Sequence, residues 1–153
     1  MIHPFDRKLI AVLPPGAIVD NASWTTTVMD TLGSNYATID VMIGALDIAM
    51  VALKVQESND NGVADAYADV PGAIFGTSAN DTGSTSTLPS ATDDNKLFSF
   101  HVDTHGRKRY LKLVATGGYG TAGTYLTAIG TLWRQSEGPR TAAQSGLSQR
   151  LVV

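Results

Sequence analysis

Three glycines in the stretch TGGYGTAGT, residues 116–124, have the spacing that dinucleotide-binding turns use. Gly118, Gly120 and Gly123 form the pattern G-x-G-x-x-G directly after a strand-like run, 109–115. Such a turn binds pyrophosphate only when a helix follows it, because the helix N-terminus supplies the N–H groups and the dipole. The residues that follow, TYLTAIGTLW, are β-branched and aromatic and predict a strand. The pattern therefore favours a hairpin loop between two antiparallel core strands over a nucleotide site.

Two histidines and a carboxylate form a second group that could do chemistry. On a strand, His101, Asp103 and His105 would share one face but spread over about 13 Å. Only a turn at Gly106 could fold His105 back toward a shared metal ion, and no further ligand stands out. We interpret these side chains as solvent-facing residues at a strand end and predict no metal site.

Acidic residues flank one loop, but they do not have the order that a calcium site needs. Asp60, Asp65 and Asp69 lie near Asn59 and Asn61, and the order D-x-[DN]-x-[DN]-G is missing. No G-x-S-x-G nucleophile motif occurs, and the chain has no cysteine. We therefore expect no catalytic residue, no cofactor-binding residue and no metal ligand, and we predict that the protein is not an enzyme.

Charge and hydropathy argue against nucleic-acid and membrane partners. The net charge is −3, and the one basic cluster, 107–109, is short and begins a predicted strand. We interpret it as a solvated strand start, with an acidic patch on a neighbouring subunit as the alternative partner. No run reaches the ~18 apolar residues of a membrane helix. The N-terminal apolar run is interrupted by Pro14 and Pro15, so we expect a soluble protein without a cleaved signal.

Alternation of apolar and polar residues predicts an all-β fold. Short strands separated by Gly, Asn and Asp turns favour an antiparallel β-sandwich, jelly-roll-like, with extended N- and C-terminal arms. We expect Trp133 in the core, because aromatic strand residues usually pack inward. The predicted strands are 36–46, 50–57, 96–103, 109–115 and 124–133, with weaker candidates at 8–13, 23–29 and 73–75.

The chain divides into a sandwich and two terminal segments. Residues 1–20 form an N-terminal arm or first strand, residues 21–135 form the β-sandwich domain with an exposed loop at 77–95, and residues 136–153 form a C-terminal arm. The arm ends on apolar residues, so we predict that it docks on another subunit as an added strand; a frayed terminus is the alternative. The predicted partner contacts are Leu147, Leu151, Val152, Val153, Ile2 and Phe5.

Several segments together resemble a known class of proteins. The run VALKVQESND, 51–60, leads into YADVPGA, 67–73. Later FSFHVD, 98–103, is followed by a glycine turn and RKRYLKL, 107–113. This pattern resembles small structural proteins encoded among the head genes of tailed bacteriophages, and the resemblance covers about residues 49–132.

The resemblance implies a virion protein, most specifically a head decoration or cement protein. Its partners would be the major capsid protein and further copies of itself, a homo-oligomer for which a trimer is one option. It would be made in the host bacterial cytoplasm and located on the capsid surface. Two alternatives stay open. One is a neck, tail or fibre component of the virion, and the other is a carbohydrate-binding jelly-roll module with Tyr67, Tyr119 and Tyr125 as a stacking platform.

Overall fold

The computed structural model describes residues 6–134 and 141–151 of the 153-residue chain. No helix within these residues has the length and hydropathy needed to cross a membrane. In the described part of the chain, eight strands form where the sequence alternates between apolar and polar residues. They are β1 (Arg7–Leu13), β2 (Met29–Asp30), β3 (Tyr36–Leu46), β4 (Ala52–Ser58), β5 (Ala68–Ile74), β6 (Leu97–Asp103), β7 (Tyr110–Thr116) and β8 (Thr124–Trp133).

The strands pair in the manner of a jelly roll. The first sheet has the order β1-β8-β3-β6, and the second sheet has the order β2-β7-β4-β5. Strand β1 pairs with β8, β2 with β7, β3 with β6 and β4 with β5, all antiparallel. This is the arrangement obtained when one long hairpin of four strand pairs is rolled into two layers. The prediction of an all-β antiparallel sandwich of the jelly-roll type is confirmed.

The core lies between the two sheets and follows from the two-residue period of the strands. In β7, Leu111 and Leu113 are buried, while the residues between and beside them lie half-buried on the outer face. Gly130 in β8 belongs to this packing, because a Cβ there would collide with the side chains of Met29 and Val12. Burial of each large apolar side chain stabilises the sandwich by about 1.5–3 kcal/mol.

The position of Trp133 differs from the expectation. Leu132 in β8 is 1% exposed in the core, so the alternation places Trp133 on the outer face of the first sheet. There its indole N–H donates to the hydroxyl of Thr38 at 3.2 Å. Trp24 instead packs against the core. The prediction of a core position for Trp133 was wrong, because the strand register assigned the inward position to its neighbour.

The described part of the C-terminal segment, 141–151, lies against β1. The N–H of Leu9 donates to the carbonyl of Ser145 at 2.9 Å, which covers part of this edge of the first sheet. Leu147 is half-buried, whereas Leu151 is 93% exposed. The docking of this segment on another subunit stays a prediction. The other predicted contact residues lie outside the described residues: Ile2, Phe5, Val152 and Val153.

The loop predicted at 77–95 is mostly exposed. Hydrogen bonds to the sandwich hold the C-terminal half of this loop in place. The N–H of Leu46 donates to the carboxylate of Asp94 at 2.8 Å. The N–H of Met50 donates to the carbonyl of Pro89 at 2.9 Å. Leu46 ends β3 and Met50 follows it, so the loop is anchored at the end of the sandwich where β3 ends and residues 117–123 lead into β8.

Candidate protein–protein interface

The glycine-rich loop, 117–123, connects β7 in the second sheet to β8 in the first sheet. It therefore crosses the end of the sandwich, and the prediction of a hairpin was wrong. The reason is the jelly-roll topology, in which β7 pairs with β2 and β4, and β8 pairs with β1 and β3. A strand follows the loop, as the sequence predicts, and not the helix that a dinucleotide site requires.

A side-chain carboxylate of the protein itself accepts hydrogen bonds from the N–H groups of this loop. Asp47, directly after β3, accepts hydrogen bonds from the N–H groups of Thr121 at 2.6 Å and Ala122 at 2.7 Å. The N–H of Gly120 donates to the carboxylate of Asp20 at 3.1 Å. The hydrogen bonds from Ala122 and Thr121 lower the pKa of Asp47 below its ordinary value. The glycine pattern thus builds an anion-binding turn, and its anion is Asp47.

Close approach of neighbouring loops explains why glycine stands at two positions. A Cβ at Gly118 would collide with the carbonyl of Ala49 and the side chain of Ile48. A Cβ at Gly123 would lie 2.7 Å from the side chain of Ile18, and the φ angle of +73° there favours glycine. The three loops that follow β1, β3 and β7 therefore pack against one another.

These loops hold four exposed apolar side chains at one end of the sandwich. We call them the end patch: Ile18, Ile48, Val51 and Tyr119, whose exposed fractions are 58, 43, 62 and 75%. Ile18 and Ile48 border the glycine-rich loop, and Tyr119 lies within it. The N–H of Val51 donates to the carbonyl of Thr116 at 3.0 Å, which fixes it beside the end of β7. Contiguous exposed apolar groups mark contact surfaces in soluble proteins.

A smaller apolar group lies on the outer face of the first sheet. Met42 and Leu97 are directly opposite each other in the β3–β6 pair and are 50% and 67% exposed. Ile129, 51% exposed, lies diagonally from Met42 on the same face. The outer face of the second sheet is polar by contrast, with Lys54 paired to Asp69 at 2.8 Å. The two faces therefore offer different surfaces to a partner.

The basic cluster, 107–109, is neutralised within the chain. Each of its three side chains lies beside a carboxylate, so the acidic partner considered for it on a neighbouring subunit is supplied by the protein itself. The guanidinium of Arg109 makes two hydrogen bonds to one carboxylate, the geometry that arginine favours. The pairs are Arg109 with Asp30 at 2.6 Å, Lys108 with Asp65 at 2.8 Å and Arg107 with Glu57 at 3.6 Å.

The acidic loop after β4 is organised by its own backbone. The carboxylate of Asp60 accepts hydrogen bonds from the N–H groups of Val63, Ala64 and Asp65 at 2.7–3.1 Å. These bonds, with that of Ala64 the largest, lower the pKa of Asp60. The carboxylate that a calcium ion would use is thus engaged by the turn itself.

The two histidines of the sequence motif, His101 and His105, lie on the surface, and each hydrogen-bonds to a different residue. A ring nitrogen of His101 is 3.1 Å from the hydroxyl of Tyr36, and a ring nitrogen of His105 is 3.0 Å from the carboxylate of Asp103. Within residues 6–134 and 141–151, no three histidine or carboxylate groups are placed to hold one metal ion.

The three tyrosines of the carbohydrate-binding alternative lie apart. Tyr119 belongs to the end patch. Tyr125 lies on the outer face of the first sheet, against Gly44. Tyr67 lies at the second sheet, where its ring centre is 5.4 Å from the ammonium group of Lys112. They do not form a common stacking platform.

The sequence alone did not point to Asp47 or to the end patch. Asp47 is one aspartate in a segment, LDIAM, that has no turn motif around it. The residues of the end patch come from loops that are about 30 and 70 residues apart in the chain, so no local spacing connects them. The glycine spacing was the one available signal, but the sequence analysis interpreted it as a hairpin loop and not as a turn that binds an anion.

No protein-family model and no curated protein matches the sequence. The structure is similar to the crystal structure of YomS, a protein derived from the SPBc2 prophage. The sequence identity is 13%, the likeness covers 83% of this chain and 92% of YomS, and the TM-score is 0.46.

Proposed function

We propose that the protein is a structural component of a tailed-bacteriophage virion that binds the capsid shell and stabilises it through protein–protein contacts. The observation that carries this proposal is the end patch, four exposed apolar side chains on loops that Asp47 and the glycines hold together. A contact surface that is already ordered loses less conformational entropy on binding. The role needs no catalysis and no cofactor.

The sequence supports the same role. Residues 49–132 contain the segments that resemble structural proteins of phage heads, and these segments overlap β4, β5, β6 and β7 of the jelly roll. Val51 of the end patch begins the first of these segments, and Ile48 and Tyr119 lie three and six residues from the nearest one in the chain. The partner we propose is the major capsid protein, at a site with a complementary apolar surface.

The end patch would be the centre of a larger contact. A stable protein–protein interface buries about 800 Å² on each partner, more than four side chains supply. The Ser- and Thr-rich loop 77–95 is anchored at the same end and is mostly exposed, so it would supply the polar rim. Apolar residues at the centre and polar residues at the rim are the usual anatomy of such a surface.

Co-sedimentation with capsid shells tests the proposal. Shells assembled from the major capsid protein encoded with this protein are mixed with the wild type or with the double variant Ile48→Asp, Tyr119→Ser. We expect saturable binding of the wild type and at least about a tenfold loss for the double variant, since central interface residues typically contribute 1.4 kcal/mol or more. The matched control is Val63→Asp, an 87% exposed apolar residue in the loop after β4, at the other end of the sandwich.

The possible outcomes distinguish the proposed capsid role from the proposed binding site, the end patch. Absence of wild-type binding would contradict the capsid role. Equal binding by the double variant and the control would show that the shell is bound through another surface. Binding to isolated tails or necks, and not to shells, would assign the protein to that part of the virion.

A further inference from the structure

A cleft opens along the side of the sandwich, between β5 and β6, which are outermost strands of their sheets. Its volume is about 820 Å³, within the range of about 300–1,000 Å³ that is usual for small-molecule sites. The two strands contribute residues 72–75 and 97–101 to its lining, and the loop after β5 contributes residues 78–81 and Ser86. None of the four residues of the end patch lines the cleft, so it is a separate surface feature.

Aromatic rings line one part of the cleft. Phe75 and Phe98 are half-buried and pack edge-to-face with ring centres 5.4 Å apart. Phe75 makes the same kind of contact with the buried Phe100, at 4.9 Å. The rings therefore hold one another in place, while Phe75 and Phe98 keep part of their apolar surface in contact with solvent. A rigid aromatic surface of this kind can accept the apolar face of a ligand.

A small hairpin in the long loop after β5 forms a polar wall of the cleft. Ala79 forms a β-bridge with Thr85. The N–H of Asn80 donates to the carbonyl of Ser84 at 2.7 Å. The side-chain oxygen of Asn80 accepts the N–H groups of Thr82 at 3.1 Å and of Ser84 at 3.0 Å. The wall is thus ordered before a ligand binds, which reduces the conformational entropy lost on binding.

Several polar residues that line the cleft have hydrogen-bonding groups that the folded chain does not use. Among the described residues, the carboxylate of Asp81 has no hydrogen-bond or ion-pair partner, and the amide nitrogen of Asn80 has no acceptor. The hydroxyl of Ser78 accepts a backbone N–H at 3.2 Å and has its own hydrogen left to donate. On β6, one ring nitrogen of His101 bonds Tyr36, and the other has no partner in the described part of the chain. The cleft therefore offers both donors and acceptors beside its aromatic surface.

The chemistry of the lining selects the class of ligand. The lining contains no lysine or arginine, and Asp81 is its only carboxylate, so a phosphate or an acidic ligand would meet no permanent cation. A wholly apolar ligand would leave the polar wall without partners. A quaternary ammonium ion would be attracted to Asp81 but has no acceptor for the amide of Asn80. A neutral saccharide fits the whole lining, because its hydroxyl groups both donate and accept and one face of a pyranose ring is apolar.

We propose that this cleft binds a neutral saccharide. The apolar face of a pyranose ring packs against Phe75 and Phe98, and the hydroxyl groups of the sugar bond to the unused groups of Asn80, Asp81 and His101. This site is built from phenylalanines of the cleft and is distinct from the three scattered tyrosines. It does not rest on the proposed capsid role, because the end patch lies outside the cleft.

Titration of the full chain with disaccharides, followed by two-dimensional NMR of the backbone amides, tests the proposal. The probes are lactose, cellobiose and N,N′-diacetylchitobiose, which are all neutral and differ in the groups on their rings. We expect saturable shifts for at least one of them, centred on residues 78–81 and 97–101, with a Kd of about 1 mM. Glycerol and tetramethylammonium chloride are the control ligands. Glycerol has hydroxyl groups without a ring, and tetramethylammonium has a charge without hydroxyl groups.

Two pairs of variants locate the site. Phe98→Leu keeps an apolar side chain but removes the ring, so we expect the Kd to rise about fivefold, whereas Phe98→Tyr should retain binding. Asp81→Ala should raise the Kd about tenfold, because it removes a charged acceptor. Its matched control is Asp103→Ala, which removes an exposed carboxylate of β6 that does not line the cleft and should leave the Kd unchanged.

Four results would overturn the proposal. The first is that no disaccharide gives saturable shifts up to about 50 mM, well above the expected Kd. The second is that glycerol or tetramethylammonium shifts the same signals in the same saturable way. The third is that the shifts lie in the loops of the end patch and not at the cleft. The fourth is equal affinity of Phe98→Leu and Phe98→Tyr; if Phe98→Leu does not fold, equal affinity of Asp81→Ala and Asp103→Ala is the contradicting result.

Discussion

The carboxylate of Asp47 lies 2.6 Å from the backbone nitrogen of Thr121, and this hydrogen bond joins the loop after β3 to the loop before β8. The same oxygen accepts the N–H of Ala122 at 2.7 Å. These two loops carry three of the four residues of the end patch, Ile48, Val51 and Tyr119. The position of the apolar surface therefore depends on one ionised side chain.

Replacing Asp47 by Asn is expected to destabilise the protein at neutral pH and much less in acid. Hydrogen bonds from Ala122 and Thr121 lower the pKa of Asp47 below the ordinary 3.8. The stabilisation by its charge is therefore complete above about pH 4 and is lost as the pH falls through the folded-state pKa. Thermal unfolding followed by circular dichroism between pH 7 and pH 2 measures the difference in Tm between the two proteins. A difference that does not shrink below pH 3.8 would contradict this role of the charge.

Gly118→Ala is expected to lower the free energy of unfolding by about 1–3 kcal/mol, the usual cost of overpacking. Its Cβ would collide with the carbonyl of Ala49, and backbone atoms cannot move aside as a flexible side chain can. Gly16→Ala is the matched control, because the nearest atom to its Cβ would be the carbonyl oxygen of Pro14 at 3.9 Å. Urea denaturation of both variants measures the difference, and equal midpoints would show that the loops are not tightly packed.

Glu57→Ala is expected to cost about 1–3 kcal/mol of stability, because it removes a buried acceptor and leaves the part-buried N–H of Lys108 without a partner. Glu57 is 9% exposed, and its carboxylate accepts the N–H of Lys108 at 3.1 Å and lies 3.6 Å from Arg107. Glu57→Gln keeps an oxygen for the N–H and should retain more of the stability. Chemical denaturation of the two variants checks this order. A Gln variant as unstable as the Ala variant would show that charge, and not the hydrogen bond, is the larger contribution.

Adjacent residues of β8 are expected to respond very differently to substitution. Leu132→Ala should destabilise by about 2–5 kcal/mol, because it opens a cavity in the core. Trp133→Phe should cost about 1 kcal/mol, since it removes the hydrogen bond to Thr38 and leaves a ring on the outer face. Urea denaturation measures both values. If Trp133→Phe instead cost more stability than Leu132→Ala, β8 would be shifted by one residue, which exchanges its two faces.

The strands were predictable because their signal is local. The alternation in YATIDVMIGAL and TYLTAIGTLW identifies β3 and β8 without knowledge of any partner. Segment 23–29 was predicted as a strand, but regular pairing is confined to β2, Met29–Asp30. The earlier residues make only an isolated bridge at Ser23 and separate hydrogen bonds from Trp24 and Thr26 to β7. Trp133 was misplaced because alternation defines two faces but does not say which one is buried.

By itself, the sequence determined the all-β class and most of the strand segments, since each depends on residues close together in the chain. The tertiary structure decided that the glycine-rich loop crosses between the sheets, that its N–H groups bind Asp47, and which side chains form the end patch. Asp47 and Thr121 are 74 residues apart, and the ladder between β1 and β8 joins Arg7 to Trp133. Such contacts arise from the packing of whole strands, so no local pattern in the sequence records them.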